Sequence, residues 1–232
     1  AGAAVLTVRV IVTALDVTTS AITFVHDVLF PYAARELPTF VEMNAADETI
    51  AALLNDTRTE AGEPDASIAR VVEILLGWIA EDRKATPLKA LQGHIWKSGY
   101  ENGDFTGHMY DDAVKYMRQW SAEGIRLFVY SSGSVGAQKL LFGYSDVGDL
   151  TPLFEGYFDT AIGHKREAGA YRRITASIGG ESGDILFLSD VAEELDAARE
   201  AGMQTCQLVR TEDVVVGEHP TARDFAEVII ET

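Results

Sequence analysis

The sequence has one cysteine, few positive charges and no long apolar run. A single cysteine, Cys206, excludes an internal disulfide and favours a reducing compartment, so we expect a buried structural thiol in a cytoplasmic protein. The 19 Lys and Arg against 36 Asp and Glu give a formal net charge of −17, which argues against nucleic acid and membrane surfaces as partners. No stretch reaches the ~20 apolar residues of a membrane span. An anionic substrate would therefore need a metal ion or a local cation.

What the sequence does contain is a set of three apolar runs that end in small polar or acidic residues. They are VRVIVTALDVTTS (Val8 to Ser20), IRLFVYSSGS (Ile125 to Ser134) and DILFLSD (Asp184 to Asp190). Runs of β-branched and aromatic residues without a polar face are typical of strands buried on both sides in a parallel sheet. Because ligands bind beyond the carboxyl ends of such strands, we expect one shared site there. Six side chains would gather at it: Asp16, Thr18, Thr19, Ser131, Ser132 and Asp190.

Between the first and second runs the sequence has only helical periodicity. The 3.6-residue period predicts four helices, at Phe24 to Phe40, Thr49 to Ala61, Ser67 to Ala80 and Leu88 to Gly99. A fifth helix, Tyr110 to Glu123, precedes the second run. We therefore predict a core made of residues 1–20 and 108–232, with an all-helical cap inserted at 21–107.

After the second run, helix and strand alternate to the end of the chain. The pattern predicts strands at Ile125 to Tyr130, Ile185 to Leu188 and Gln204 to Val209. It predicts helices at Val135 to Phe142, Arg166 to Ile178, Ala192 to Ala201 and near Ala222 to Ile229. This alternation is typical of right-handed crossovers, so the fold class is α/β with a doubly wound, Rossmann-like parallel sheet.

Two segments have the composition of a phosphate site. Ser131 and Ser132 place hydroxyls where a strand passes into a helix, although Ser134 in the same segment is also an ordinary helix N-cap. Lys165 opens a predicted helix, where a cation opposes the helix dipole and implies a nearby anion. The alternative is a surface lysine whose charge is compensated by Glu167.

A divalent cation is the second ligand that the strand ends suggest. Asp190 follows a predicted strand, and Glu194 lies one helical turn later, so the two could hold a metal ion directly or through its waters. The alternative for Asp190 is an N-cap of the following helix.

At these residues the chain resembles the bacterial acireductone synthases, or enolase-phosphatases, of the haloacid dehalogenase (HAD) superfamily. The resemblance covers nearly the whole length and includes FVHDVLFPYAARELPTF, EDRKATPLKALQGHIW, AQKLLFGYSDVGDL, GYFDTAIGHKREAGAY and ILFLSDVAEELDAAREAG. It implies a Mg²⁺-dependent hydrolase of methionine salvage. Such an enzyme enolises 2,3-diketo-5-methylthiopentyl-1-phosphate, a small phosphorylated diketone, and then removes the phosphate to give an acireductone. We expect a monomer.

The resemblance also implies roles for individual residues. Ser131 and Ser132 correspond to the substrate and phosphate binders, Lys165 to the lysine that neutralises the phosphate, and Asp190 to a Mg²⁺ ligand. Glu194 takes the second acidic position and would orient the metal's surroundings. Four residues of the cap are candidates for reaching the substrate, without a firm role: Arg83, Lys84, His94 and Trp96.

The chain departs from the family in one place. The family's first motif reads D-x-E-G-T-T, and the following TTSAITFVHD places Ala14, Leu15, Asp16 and Val17 at its first four positions. The first aspartate of the motif attacks phosphorus and ligates Mg²⁺, and alanine does neither. Asp16 replaces the glutamate and is one methylene shorter. Val17 replaces the glycine, at a cost of roughly 1–3 kcal/mol if that position needs a positive φ.

Three interpretations follow from these departures. In the first, the chain is an enolase-phosphatase whose hydrolytic step is lost or severely weakened, with Asp16 as its remaining catalytic residue and Mg²⁺ ligand. A variant of it makes Asp16 the nucleophile. The objection is distance, because residues 14 and 16 of a strand point to the same side but lie about 6.6 Å apart, too far for Asp16 to take the position of the family's nucleophile. The second is a non-catalytic protein that binds a phosphorylated metabolite, and the third is an engineered inactive variant.

Overall fold

The computed structural model describes residues 5–231, which divide into two compact units. One unit comprises the described residues up to Ile22 and from Gly107 onward, and the other is Thr23–Thr106. Within the described residues, none of the helices combines the length and the apolar character that crossing a membrane requires.

The larger unit contains a six-stranded parallel sheet and a two-stranded parallel sheet. In chain order, the strands of this unit are β1 (Val5–Thr7), β2 (Val10–Thr13), β3 (Arg126–Tyr130), β4 (Phe154–Phe158), β5 (Ile185–Ser189), β6 (Gln204–Leu208), β7 (Thr221–Ala222) and β8 (Ile229–Glu231). The six-stranded sheet has the order β4-β3-β2-β5-β6-β7, and β1 pairs with β8. The first strand of the chain in this sheet, β2, therefore lies at its centre, which is the doubly wound arrangement that we predicted.

The central strands form because their residues can be buried on both faces. Every residue of β2 and of β5 is buried, as the absence of a polar face predicted. Helices α6 (Asp111–Ala122), α7 (Val135–Gly143), α8 (Ala168–Ile178) and α9 (Ala192–Glu200) belong to the same unit. One buried cluster joins Val12 and Phe187 of the sheet to Tyr171 of α8 and Leu195 of α9.

The register of the central strands brings the three sequence runs to one edge. Thr13, the last residue of β2, is paired with Val129 on β3 and with Leu188 on β5. The segments that follow these strands therefore begin side by side at the carboxyl edge of the sheet. This is the edge at which ligands bind in such folds.

The smaller unit is helical. It contains most of α1 (Ile22–Phe24), a π-helical turn at Val25–Leu29, and helices α2 (Phe30–Asn44), α3 (Glu48–Ala61), α4 (Ile68–Ala80) and α5 (Thr86–Asn102). Asp47 and Ser67 cap α3 and α4 by accepting backbone N–H groups. The apolar faces meet in a core of fully buried side chains: Leu37, Leu54, Leu75 and Leu91. That this helical unit acts as a cap over the sheet stays a prediction.

Four details of the larger unit differ from the sequence predictions. The predicted helix near Ala222 to Ile229 is wrong. The segment contains β7, which pairs with β6, then a 3₁₀ turn at Phe225–Glu227, and then β8, which pairs with β1. The edge strand β4 was not predicted. Residues 14 and 16 were predicted as part of the first strand, but β2 ends at Thr13. The helix after Lys165 begins only at Ala168.

A buried ion pair connects α6 to the segment that follows β6. Both Nη atoms of Arg210 donate to the Asp112 carboxylate, at 2.9 and 2.7 Å, and the backbone N–H of Phe225 donates to the same carboxylate at 2.9 Å. Burial alone would raise the pKa of Asp112, but the hydrogen bonds from Arg210 and Phe225 outweigh it and hold the pKa below its ordinary value of 3.8. The pair thus stabilises the fold while Asp112 is ionised.

Asp112→Asn should lower the free energy of unfolding by roughly 2–3 kcal/mol at pH 7, because it leaves a buried guanidinium without its anion. A carboxyl with a lowered pKa stabilises the folded state above its unfolded pKa and loses that contribution as pH falls through the folded value. The difference between the two proteins should therefore disappear in acid. Urea unfolding at a series of pH values measures it, with the exposed Glu73→Gln as control. An undiminished difference at the acid end would contradict the assignment.

Candidate active site

The segment after β2 is a tight turn. The Ala14 N–H donates to the carbonyl of Leu188 at 2.8 Å, just beyond the end of β2. The carbonyl of Leu15 then accepts the backbone N–H groups of Thr19 at 2.9 Å and Ser20 at 3.1 Å, and Val17 N–H donates to the carbonyl of Ser20 at 2.7 Å. Asp16 therefore lies on a turn beyond the strand. The strand geometry that we used to relate Ala14 to Asp16 does not apply.

Val17 has a left-handed backbone conformation, with φ of 64°. This conformation is unfavourable for a β-branched residue and is readily adopted by glycine. The sequence predicted strain at Val17 if this position needs a positive φ, and the turn does need one where this chain has valine. The strain is of order 1–3 kcal/mol and has to be balanced by contacts elsewhere.

Ala14 offers no reactive group. Its side chain is 2% exposed and belongs to the buried cluster that also contains Val12, Tyr130 and Phe187. A methyl group in an apolar cluster can neither attack phosphorus nor ligate a cation. Asp16 is half-buried and forms a backbone bridge with Ser20.

The segment after β3 holds two of the predicted phosphate binders. Ser131 is 3% exposed, and its Oγ accepts the N–H of Gly133 at 3.2 Å. Ser132 is half-buried beside it. Ser134 caps α7 by accepting the N–H of Ala137 at 3.1 Å, so the capping interpretation is confirmed for that serine. Ser131 and Ser132 precede a helix N-terminus, where anions bind favourably.

Lys165 forms an ion pair with a carboxylate of α9. Its Nζ lies 2.6 Å from Oε1 of Glu194, and the two side chains are 13% and 9% exposed. The same ammonium lies 5.7 Å from the centre of the Tyr130 ring. The expectation that Lys165 opens a helix is wrong, because it precedes α8, and its ion pair is with Glu194 rather than with Glu167.

Asp190 lies in an acidic neighbourhood. Burial first, and then the negative charges of Glu194 and Asp16, raise its pKa to about 6, while Lys165 acts in the opposite direction. Three carboxylates and one ammonium therefore interact at this edge of the sheet. Asp190 does not cap α9, whose N-cap is Val191.

The donors at this edge suit a magnesium ion that keeps part of its water shell. Within residues 5–231, no group of three or more His, Cys, Asp or Glu side chains is arranged to hold a metal ion. Mg²⁺ is commonly held by only one or two carboxylates together with waters and substrate phosphates. Asp16 and Asp190 are two such carboxylates, and a cation near Asp190 would favour the ionised form that burial, and then the charges of Glu194 and Asp16, disfavour.

The two threonines of the turn are fully buried. Oγ1 of Thr19 donates to the carbonyl of Leu15 at 3.1 Å, so this hydroxyl supports the turn. Oγ1 of Thr18 is buried without a hydrogen-bond partner. A buried hydroxyl without a partner is unusual.

Several neighbours of the site were missed by sequence reasoning. His108 accepts the N–H of Ala21 at 3.1 Å through Nδ1, Gln207 donates to the carbonyl of Asp190 at 2.9 Å, and Arg210 donates to the carbonyl of Thr18 at 3.0 Å. None of the three belongs to a recognisable local motif. The signal that could have found Gln207 and Arg210 is their position at the end of a predicted parallel strand.

The four cap candidates have partners inside the helical unit or are exposed. Trp96 donates to the carbonyl of Leu29 at 2.9 Å, and the His94 ring stacks on that of Phe40. Arg83 pairs with Glu60 at 3.1 Å, and Lys84 is exposed. Their role in substrate binding stays a prediction.

Comparison with known proteins decides the family. The enolase-phosphatase E1 of Pseudomonas aeruginosa (strain UCBPP-PA14) is 56% identical over 226 residues, which are 97% of this chain and 100% of the relative. The chain belongs to the enolase-phosphatase E1 family. By family it is a hydrolase of the phosphatase class. No family model matches the chain.

Solved structures show the same fold. The UTR4 protein of Saccharomyces cerevisiae superimposes with a TM-score of 0.81 at 32% identity, over 94% of this chain and 98% of that one. The HAD-hydrolase YfnB of Bacillus subtilis, bound to magnesium, shares the fold with a TM-score of 0.59 at 15% identity, over 96% and 97% of the two chains. The HAD-like fold that the resemblance implied is thereby confirmed.

Val17→Gly should stabilise the protein by about 1 kcal/mol, because relief of the strained φ exceeds the added entropy of glycine in the unfolded chain. Asp82→Gly is the matched control, since Asp82 also has a positive φ, of 55°, but aspartate tolerates it better than valine does. Urea unfolding should show a clear gain for the first variant and a smaller one for the second. Equal effects would mean that valine at this turn carries no more strain than aspartate does at position 82.

Lys165→Met should lower the free energy of unfolding by about 3 kcal/mol, because it leaves Glu194 buried without its cation. Adding Glu194→Gln should recover at least half of that loss. The coupling between the two changes, measured by chemical denaturation of all four proteins, reports the pair itself. Additive losses would show that the two side chains do not depend on each other.

Proposed function

We propose that this chain retains the architecture of an enolase-phosphatase acting on a phosphorylated diketone of methionine salvage, 2,3-diketo-5-methylthiopentyl-1-phosphate, while its phosphate-releasing step is lost or severely weakened. The observation that carries the proposal is the position of Ala14 at the end of β2. It lies beside the strand that leads to Asp190, with only a buried methyl group where the family's first motif has its nucleophile. Loss of a nucleophile reduces turnover by as much as ~10⁶-fold in a well-studied protease, which sets the scale.

In this proposal the remaining residues still bind the substrate. Ser131 and Ser132 hold the phosphate ahead of α7, and Lys165 offsets its charge. The ion pair with Glu194 supports this role, because it fixes the ammonium at the site. The buried, partly paired cation suits a dianionic ligand better than a neutral one.

Asp16 and Asp190 would hold Mg²⁺, and Glu194 would orient Lys165 and the waters around the ion. The HAD-hydrolase YfnB, which shares the fold, was solved bound to magnesium. When bound, the ion neutralises phosphate charge and polarises the substrate carbonyl. Asp16, on the turn beyond Ala14, is the carboxylate that remains to move a proton during enolisation.

We also propose a cytoplasmic monomer whose partner is this small molecule. The thiol of Cys206 is 2% exposed, and burial raises its pKa to about 12, so it suits a reducing compartment without serving as a reactive group. Light scattering coupled to size-exclusion chromatography tests the monomer against the chain mass of 25.2 kDa.

Ala14→Asp should restore phosphate release in the presence of Mg²⁺, because it returns a carboxylate to the end of β2. The measurement follows enol formation by absorbance and phosphate release in parallel, for the unmodified chain and the variant. Ala14→Asn is the matched control, since it has nearly the same volume but no nucleophile. If Asp alone is insufficient, the further changes Asp16→Glu and Val17→Gly complete the family motif and should bring activity.

Three outcomes would overturn the proposal. Phosphate release by the unmodified chain that Asp16→Asn abolishes would make Asp16 the nucleophile. Failure of the completed motif to release phosphate would remove the enolase-phosphatase assignment. Tight calorimetric binding of the diketone by the unmodified chain, without either product, would identify it instead as a protein that binds the metabolite without turning it over.

A further inference from the structure

Two residues in and just after β6 bond the backbone of the turn after β2 and of the segment after β5. Arg210 follows this strand, and its side chain is 8% exposed. While its two Nη atoms bind Asp112, its Nε donates to the carbonyl of Thr18 at 3.0 Å. The guanidinium also lies 4.0 Å from the centre of the Tyr110 ring, so its plane is fixed on several sides.

The Thr18 carbonyl belongs to a turn that its own sequence does not favour. Inside the turn, backbone N–H groups converge on the carbonyl of Leu15, and Val17 has a positive φ. From outside, the turn is held by Arg210 at Thr18 and by the N–H of Tyr110 at the carbonyl of Thr19, 3.0 Å away. These external bonds are the ones that can offset the strain at Val17.

Gln207 acts in the same way on the other segment. It is fully buried in β6, and its Nε2 donates to the carbonyls of Asp190 and Val215, each at 2.9 Å. Its Oε1 accepts the N–H of Gly217 at 2.9 Å. All three of these hydrogen bonds go to backbone groups, so the Gln207 side chain holds the main chain at Asp190 in place.

We propose that Arg210 and Gln207 are positioning residues, which set the turn bearing Asp16 and the backbone of Asp190 for the reaction. Arg210 acts through the Thr18 carbonyl, and Gln207 acts through the Asp190 carbonyl. The inference rests on the proposed function for its catalytic consequence, but the positioning itself does not require turnover. A displacement of about 1 Å in a catalytic group can cost 10²-fold in rate, so a hydrogen bond to its backbone matters.

The first test measures positioning without substrate. Arg210→Lys keeps the positive charge beside Asp112 but cannot bond the carboxylate and the Thr18 carbonyl together. In Arg210→Lys, amide hydrogen exchange of Thr18, Thr19 and Ser20, read by NMR, should become at least ten-fold faster. In Gln207→Met, exchange of the Val191 amide should become faster in the same way. Arg70→Lys is the matched control, because it removes an exposed guanidinium–carboxylate fork in the helical unit. Unchanged exchange in the turn of folded Arg210→Lys would overturn the proposal.

The second test separates positioning from a purely structural role. In the Ala14→Asp protein, adding Arg210→Lys should lower kcat about ten-fold with KM changed less than two-fold, while Arg70→Lys changes neither. A lower melting temperature with unchanged kcat would reduce Arg210 to a structural residue and overturn the proposal. If the Ala14→Asp protein and the completed motif both lack activity, the proposed function fails, and hydrogen exchange alone decides whether Arg210 and Gln207 hold the two segments.

Discussion

The alignment of three parallel strands is the constraint on which the site depends. Thr13 is level with Val129 and with Leu188, so segments far apart in sequence leave the sheet at one edge. Each strand can hold this register because its residues are buried on both faces, and a shift by one residue would move every side chain to the opposite face. The sheet thus brings the segments that carry Asp16, Ser131 and Asp190 to one edge, and the contacts of the turn after β2 set where Asp16 lies on it.

Electrostatics explains why this edge is costly to maintain. The chain carries a net charge of −17, yet the site adds the partly buried carboxylates Asp190 and Glu194 and supplies one ammonium, Lys165. An excess of buried negative charge opposes folding unless a cation compensates it. In the function that we propose, a metal ion and a phosphate would bind here together, since the phosphate adds charge that Lys165 by itself does not offset.

Much of this organisation could be predicted from the sequence, because the signals were local. The continuous apolar runs predicted the buried strands, and the capping residues Ser67 and Ser134 marked helix starts that the structure has. The missed parts depend on distant partners. The segment from Ala222 to Ile229 is too short to distinguish strand from helix by periodicity, and its pairing with β1 and β6 decided the outcome. Lys165 is positioned by Glu194 and the Thr18 turn by Arg210, and no local pattern announces either contact.

The turn at Val17 also bears on the order in which the chain folds. Its backbone conformation is unfavourable for valine. Arg210, which bonds the turn at Thr18, lies 192 residues from Thr18 along the chain, and Asp112, which holds Arg210, lies 98 residues from Arg210. Such a turn cannot form early from local preference and has to wait until β6 and α6 are in place. Its contacts therefore form late in folding and are largely absent from the transition state. Relief of the strain should appear as slower unfolding of the native protein rather than as faster folding.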